Sequence, residues 1–84
     1  MDEIDSLRAR ALDEIAVATS SEELNAARIS VLGRNGTLTV RLRALRYRDD
    51  EAAVQSRRVL NGVKTELTRV IGKRRQALKT ATEE

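Results

Sequence analysis

The side chains of this 84-residue sequence best equipped for chemistry are cations. Arg41, Arg43, Arg46 and Arg48 fall close together, and Arg57, Arg58, Lys64, Arg69, Lys73, Arg74, Arg75 and Lys79 follow. Guanidinium and ammonium groups in such numbers suit phosphate oxygens, because each offers several charge-assisted donors. The plainer reading is a solvated helix surface, with some long stems covering apolar seams; Arg74 is the best candidate for that role. Residues 1–32 carry three basic groups against seven acidic ones, whereas residues 33–84 carry thirteen against six, so the net charge of +3 conceals a basic C-terminal part. Such a skew is an electrostatic footprint for a polyanion.

Other chemistries fall away. Cysteine and histidine are absent, which excludes disulfides, the usual zinc sites and Ser-His-Asp or Cys-His nucleophile systems. Asp49, Asp50 and Glu51 could be read as acid–base carboxylates, but a helix start, capped by Asp49 or Asp50, accounts for them better. Gly33-Arg34-Asn35-Gly36 lacks the Gly-Lys-Ser/Thr of a phosphate-binding loop, and no dinucleotide fingerprint is present. Binding is what remains. Tyr47 is the sole aromatic, so there is almost no stacking platform, recognition of a single strand by stacking is disfavoured, and a structured RNA gripped through its phosphates fits better.

The elements that must position these groups read as helices. Proline is absent and glycine scarce, which favours long helices built on aliphatic seams in a single domain spanning 1–84. The first helix is expected over about 2–18, with Ile4, Leu7, Ala11 and Ile15 as its seam and Asp2, Glu3 and Asp5 in its first turn. Ser20 and Glu23 form a capping-box pattern for a helix over 21–32 that carries Leu24, Ala27 and Val31. Gly33 should end it through a left-handed conformation. The stretch from Thr37 to Tyr47 alternates like a strand, yet Leu38, Leu42 and Leu45 also suit a helix. A helix over about 38–47 capped by Thr37 is favoured, because an isolated hairpin is marginal in water. A long helix over about 50–80 then carries a heptad seam of Leu60, Val63, Leu67, Val70, Arg74 and Ala77, widened by Val59, Ile71 and Leu78. Gly62 and Gly72 within it could admit a neighbouring helix. The fold class is therefore all-α: an antiparallel helical hairpin or coiled-coil arm with one long C-terminal helix and shorter N-terminal helices. A parallel homodimer through the long helix ranks second, since it leaves the first helix without a partner.

The string LGRNGTLT, Leu32 to Thr39, resembles the LGKKGxLT signature of the N-terminal coiled-coil domain of the α chain of bacterial phenylalanyl-tRNA synthetases. The resemblance extends through Glu22, Glu23, Leu24, Arg28, Leu32 and Gly33 to an Asn-x-x-Lys element at Asn61 and Lys64. Three positions differ from the family pattern. Asn35 replaces the second basic residue of the tip, Arg48-Asp49-Asp50-Glu51-Ala52 replaces a proline-containing link, and Arg57 stands where a glycine is usual.

The resemblance implies a tRNA-binding arm with a turned tip, which holds tRNA while aminoacylation proceeds on a catalytic body outside these residues. It implies Arg34, Arg41, Arg43 and Lys64 as the leading nucleic-acid contacts, with Arg69 and Lys73 next. It further implies an α2β2 assembly with a β chain, ATP and magnesium as needs of the full-length ligase, no cofactor in this chain, and a cytoplasmic setting. The acidic N-terminus does not read as a signal peptide, and no window is long and apolar enough to span a membrane. The alternatives are a coiled-coil protein-interaction module, homodimeric or scaffolding, and the two-helix arm of seryl-tRNA synthetases, against which the LGRNGTLT tip argues.

Overall fold

The computed structural model describes residues 3–83, and these form four helices with no strand: α1 (Glu3–Val17), α2 (Ser21–Leu32), α3 (Thr37–Ala44) and α4 (Glu51–Glu83). Asp2 and Glu84 lie outside the described residues. Glu3 and Asp5 occupy the first turn of α1, where their charge complements the helix dipole. Ser20 caps α2, its hydroxyl accepting the Glu23 N–H at 3.1 Å. Glu23 reaches back one residue further than a capping box requires, accepting both the N–H and the hydroxyl of Thr19 at 2.7 and 2.8 Å. Asp50 caps α4 by accepting the Ala53 N–H at 3.2 Å, so the acidic cluster is a helix start.

Two side chains fix the helix directions. Arg8 of α1 pairs with Glu66 of α4, and Arg74 of α4 donates to the Ala18 carbonyl, just past the end of α1, at 2.7 Å. The chain from Arg8 to Ala18 thus runs beside α4 from Glu66 to Arg74 in the same sense, and α2, returning from Ser20, is the antiparallel neighbour of both. The core lies where the three helices meet. Ala11 and Ile15 of α1, Leu24 and Val31 of α2, and Leu60, Leu67 and Ile71 of α4 are buried, joined from α3 by Leu38. The seam that a parallel homodimer would use is covered by α1 and α2 of the same chain.

The seam of α4 departs from a strict heptad. Ile71 is buried where Val70 was expected to be central; Val70 is half-buried, Ala77 is exposed, and Val59 is 47% exposed. A straight helix turns every 3.6 residues, so over about two heptads the buried line drifts from Val63 through Ile71 to the half-buried Leu78. Gly62 and Gly72 face open space, with nothing of the chain within 4 Å of where a Cβ would stand, so they admit no neighbouring helix of this chain.

In α3, Leu38 is buried, Leu42 and Leu45 are half-buried and Val40 is exposed, which is helical spacing and not alternation. The N-cap is Gly36 in place of Thr37, and no side chain caps the helix. The helix also ends at Ala44, short of Tyr47, because the backbone tightens: the N–H groups of Leu45, Arg46 and Arg48 donate to carbonyls three residues back at 3.2 Å each.

The glycine corner owes its residues to proximity. Gly33 is extended, with φ −67° and ψ 179°, and no residue among those described has a positive φ. A Cβ on Gly33 would stand 2.5 Å from the Ile29 carbonyl oxygen, and one on Gly36 would stand 2.5 Å from the Val31 carbonyl carbon and oxygen. The left-handed expectation is therefore replaced by a close backbone approach.

Candidate nucleic-acid interface

The long axis of the molecule is 52 Å, with cross-sections of 23 and 17 Å, and the 33 residues of α4 account for its full length. The end of the rod is the turn between α3 and α4, residues 45–50, which brings the chain round onto the long helix.

The six site residues expected from the sequence divide into three groups. Lys64 and Arg69 border one shallow depression on the outward side of α4 together with Asn61, Thr65 and Thr68. Lys73 is exposed four residues beyond Arg69, on the same side of the helix. Arg34 and Arg43 meet at the glycine corner, where the Arg43 guanidinium donates to the Arg34 carbonyl at 2.7 Å. Arg41 is turned elsewhere. It pairs with Glu3 at 2.9 Å and, with Ser6, Arg10 and Glu14, borders a groove of about 390 Å³ that α4 does not line.

The remaining α4 cations sort by helical angle. At 100° per residue, Arg57 and Arg74 flank the seam, and both are spent on backbone oxygens. Arg74 satisfies Ala18, and Arg57 donates to the carbonyls of Leu45 and Arg48 at 2.6 Å each. Arg57, the departure from the family pattern, thus braces the turn before its own helix. Arg58 points away from the seam, Lys79 projects to its side, Arg75 repeats the angle of Arg57 five turns further on, and all three are exposed. Sequence reasoning counted them among the basic residues of the long helix without choosing them as contacts. Their positions outside the buried seam, with Arg58 opposite it, were the available signal.

The solvent-exposed surface of α4, which wraps about half of the helix circumference, therefore presents Arg58, Lys64, Arg69, Lys73, Arg75 and Lys79 over 21 residues, roughly 32 Å of helix, with Lys64, Arg75 and Lys79 on one flank and Arg69 and Lys73 on the other. Between Ala52 and Thr82 the helix holds one carboxylate, Glu66, and it is turned to Arg8. The Arg8 hydrogen bonds hold the Glu66 carboxyl below its ordinary pKa, with a further contribution from the charge of Arg69. No ion pair compensates the six cations among the described residues. Chemically, this face is a ridge of mobile donors suited to successive anionic oxygens along a backbone.

Comparison with known proteins places this geometry. The family described as the class II aminoacyl-tRNA synthetase N-terminal domain matches residues 19–84. The phenylalanine–tRNA ligase α subunit of Agrobacterium fabrum (strain C58) is 36% identical over 81 residues, 96% of this chain and 22% of that protein. The α subunits of Xanthomonas campestris pv. campestris (strain B100) and Xanthomonas oryzae pv. oryzae (strain MAFF 311018) are 33% and 32% identical over the same share of this chain and 24% of their own length. The chain thus spans under a quarter of the length of these relatives. No solved structure matches it significantly. On the agreement of family match, relatives and helical architecture, the chain belongs to the N-terminal domain family of class II aminoacyl-tRNA synthetases, of the phenylalanine–tRNA ligase α-subunit kind.

Proposed function

We propose that the chain is a tRNA-binding arm, which grips the phosphate backbone of tRNA along the outward face of α4 and so positions it for aminoacylation by a catalytic body outside these residues. The observation that carries this reading is the set of exposed cations from Arg58 to Lys79, none of them ion-paired among the described residues, on a chain whose relatives are phenylalanine–tRNA ligase α subunits. Lys64 acts on one flank of the helix, and Arg69 with Lys73 on the other. Arg34 and Arg43, at the glycine corner, supply a second point of contact, and Arg41 contributes once Glu3 releases it. Holding the tRNA body lowers the entropic cost of aligning its acceptor end. In a full-length ligase the partners are the rest of the α chain and a β chain in an α2β2 assembly in the cytoplasm. ATP and magnesium act in the catalytic body and are not held by this chain.

The test is equilibrium binding of tRNA across a salt series. Each phosphate contact releases counterions, so affinity falls steeply with salt, and each of Lys64→Gln, Arg69→Gln and Lys73→Gln reduces the logarithmic salt slope by about 1. Arg10→Gln, on the other side of the rod, should leave the slope in place. A slope near zero for the unaltered chain, or equal effects of Arg10→Gln and Lys64→Gln, overturns the reading.

A further inference from the structure

Tyr47 is the sole aromatic residue of the chain, and it is 86% exposed. It belongs to the turn at the end of the rod, and that turn is unusually well fastened. Arg57 holds the carbonyls on either side, of Leu45 and of Arg48. Arg48 makes two hydrogen bonds to Asp50, at 3.0 and 2.9 Å, and Asp50 in turn caps α4. The Arg46 guanidinium stands 5.6 Å from the centroid of the Tyr47 ring. A ring this exposed adds little to the core, yet it stands on backbone whose ordering has already been met within the fold.

The location adds charge. Arg57 and Lys64 are one heptad apart on α4, so the turn is docked on the side of the helix that carries Lys64, about 10 Å away along the axis.

We propose that Tyr47, with Arg46, is a stacking platform for one unpaired nucleobase of the bound RNA. The phenol ring offers a π face at small conformational cost, since only two side-chain torsions need fixing. Arg46 supplies a cation beside the stacked pair and a donor for the neighbouring phosphate. A nucleobase is the occupant chosen by charge: the Arg46 guanidinium stands at the ring on a chain of net charge +3, which suits a polyanion, and a single ring accommodates a single base. The platform rests on the RNA-binding reading above and adds to it a contact that a fully paired helix cannot make.

The experiment measures affinity for tRNA and for a long blunt-ended RNA duplex with Tyr47→Ala, Tyr47→Phe and Tyr47→Trp. Exposure of the ring predicts an unchanged melting temperature for all three, checked first. Tyr47→Ala is expected to weaken tRNA binding roughly tenfold and to leave duplex binding as it was, while Tyr47→Phe and Tyr47→Trp retain tRNA affinity. The introduced indole, which has no other tryptophan to mask it, should be quenched by tRNA and not by duplex. Unchanged tRNA affinity in Tyr47→Ala, or equal losses on tRNA and duplex, overturns the platform while salt-dependent binding by the unaltered chain keeps the arm. Failure of the unaltered chain to bind either RNA overturns both.

Discussion

At the scale of single residues, the four glycines do opposite things. Gly36→Ala drives a Cβ into the backbone of Val31, which no rotamer change relieves, and should cost more than about 2 kcal/mol in chemical denaturation. Gly72→Ala meets open space in a helix interior and should stabilise the fold by about 1 kcal/mol. The sequence showed that Gly33 and Gly36 mark a corner, because glycines follow an apolar run there. The reason for glycine was not legible, since it depends on how near the Ile29 and Val31 backbones come once the corner has closed. The roles of Arg57 and Arg74 were half legible. Both lie beside the α4 seam, and Arg74 was already suspected of packing, but the carbonyls they serve belong to distant parts of the chain.

At the scale of elements, helix starts were the clearest feature. Ser20 with Glu23, and Asp50 before Glu51, are local chemistry that needs no tertiary information. The choice of Ile71 over Val70 for the core was hidden, because the drift of a straight helix depends on what packs against it. Leu67 is fully buried between α1, α2 and α4, and Leu67→Ala should lower stability by roughly 2–5 kcal/mol. Arg57→Ala should cost about 1–3 kcal/mol by leaving the Leu45 and Arg48 carbonyls without their charged donor. Hydrogen exchange in that variant should rise first at residues 45–50 and leave α1 and α2 protected.

At the scale of the whole molecule, three carboxylates link fold to pH. Glu23 is held below its ordinary pKa by the Thr19 backbone N–H and hydroxyl, Asp50 by Arg48, and Glu66 by Arg8. Folding favours the charged form of each, so their contribution is complete above the ordinary carboxylate range and is lost as pH falls through their lowered values. The melting temperature should therefore fall on acidification from about pH 6 to about pH 3, and Glu66→Gln should flatten part of that decline. All-α architecture with one long C-terminal helix was readable from the absence of proline and the period of the aliphatic residues. That α1 runs with α4 and not against it was not readable, because the interhelical ties of Arg8 and Arg74 are invisible in one dimension.

The parallel course of α1 and α4 has a mechanical result. The three-helix cross-section stiffens α4 as far as the point where Ala18 meets Arg74, whereas toward the Leu45–Asp50 turn α3 is its support. A polypeptide continuing from the far pole of α4 would hold that turn out like the free end of a cantilever, some 52 Å from its root, where a small pivot at the base becomes a wide sweep at the apex.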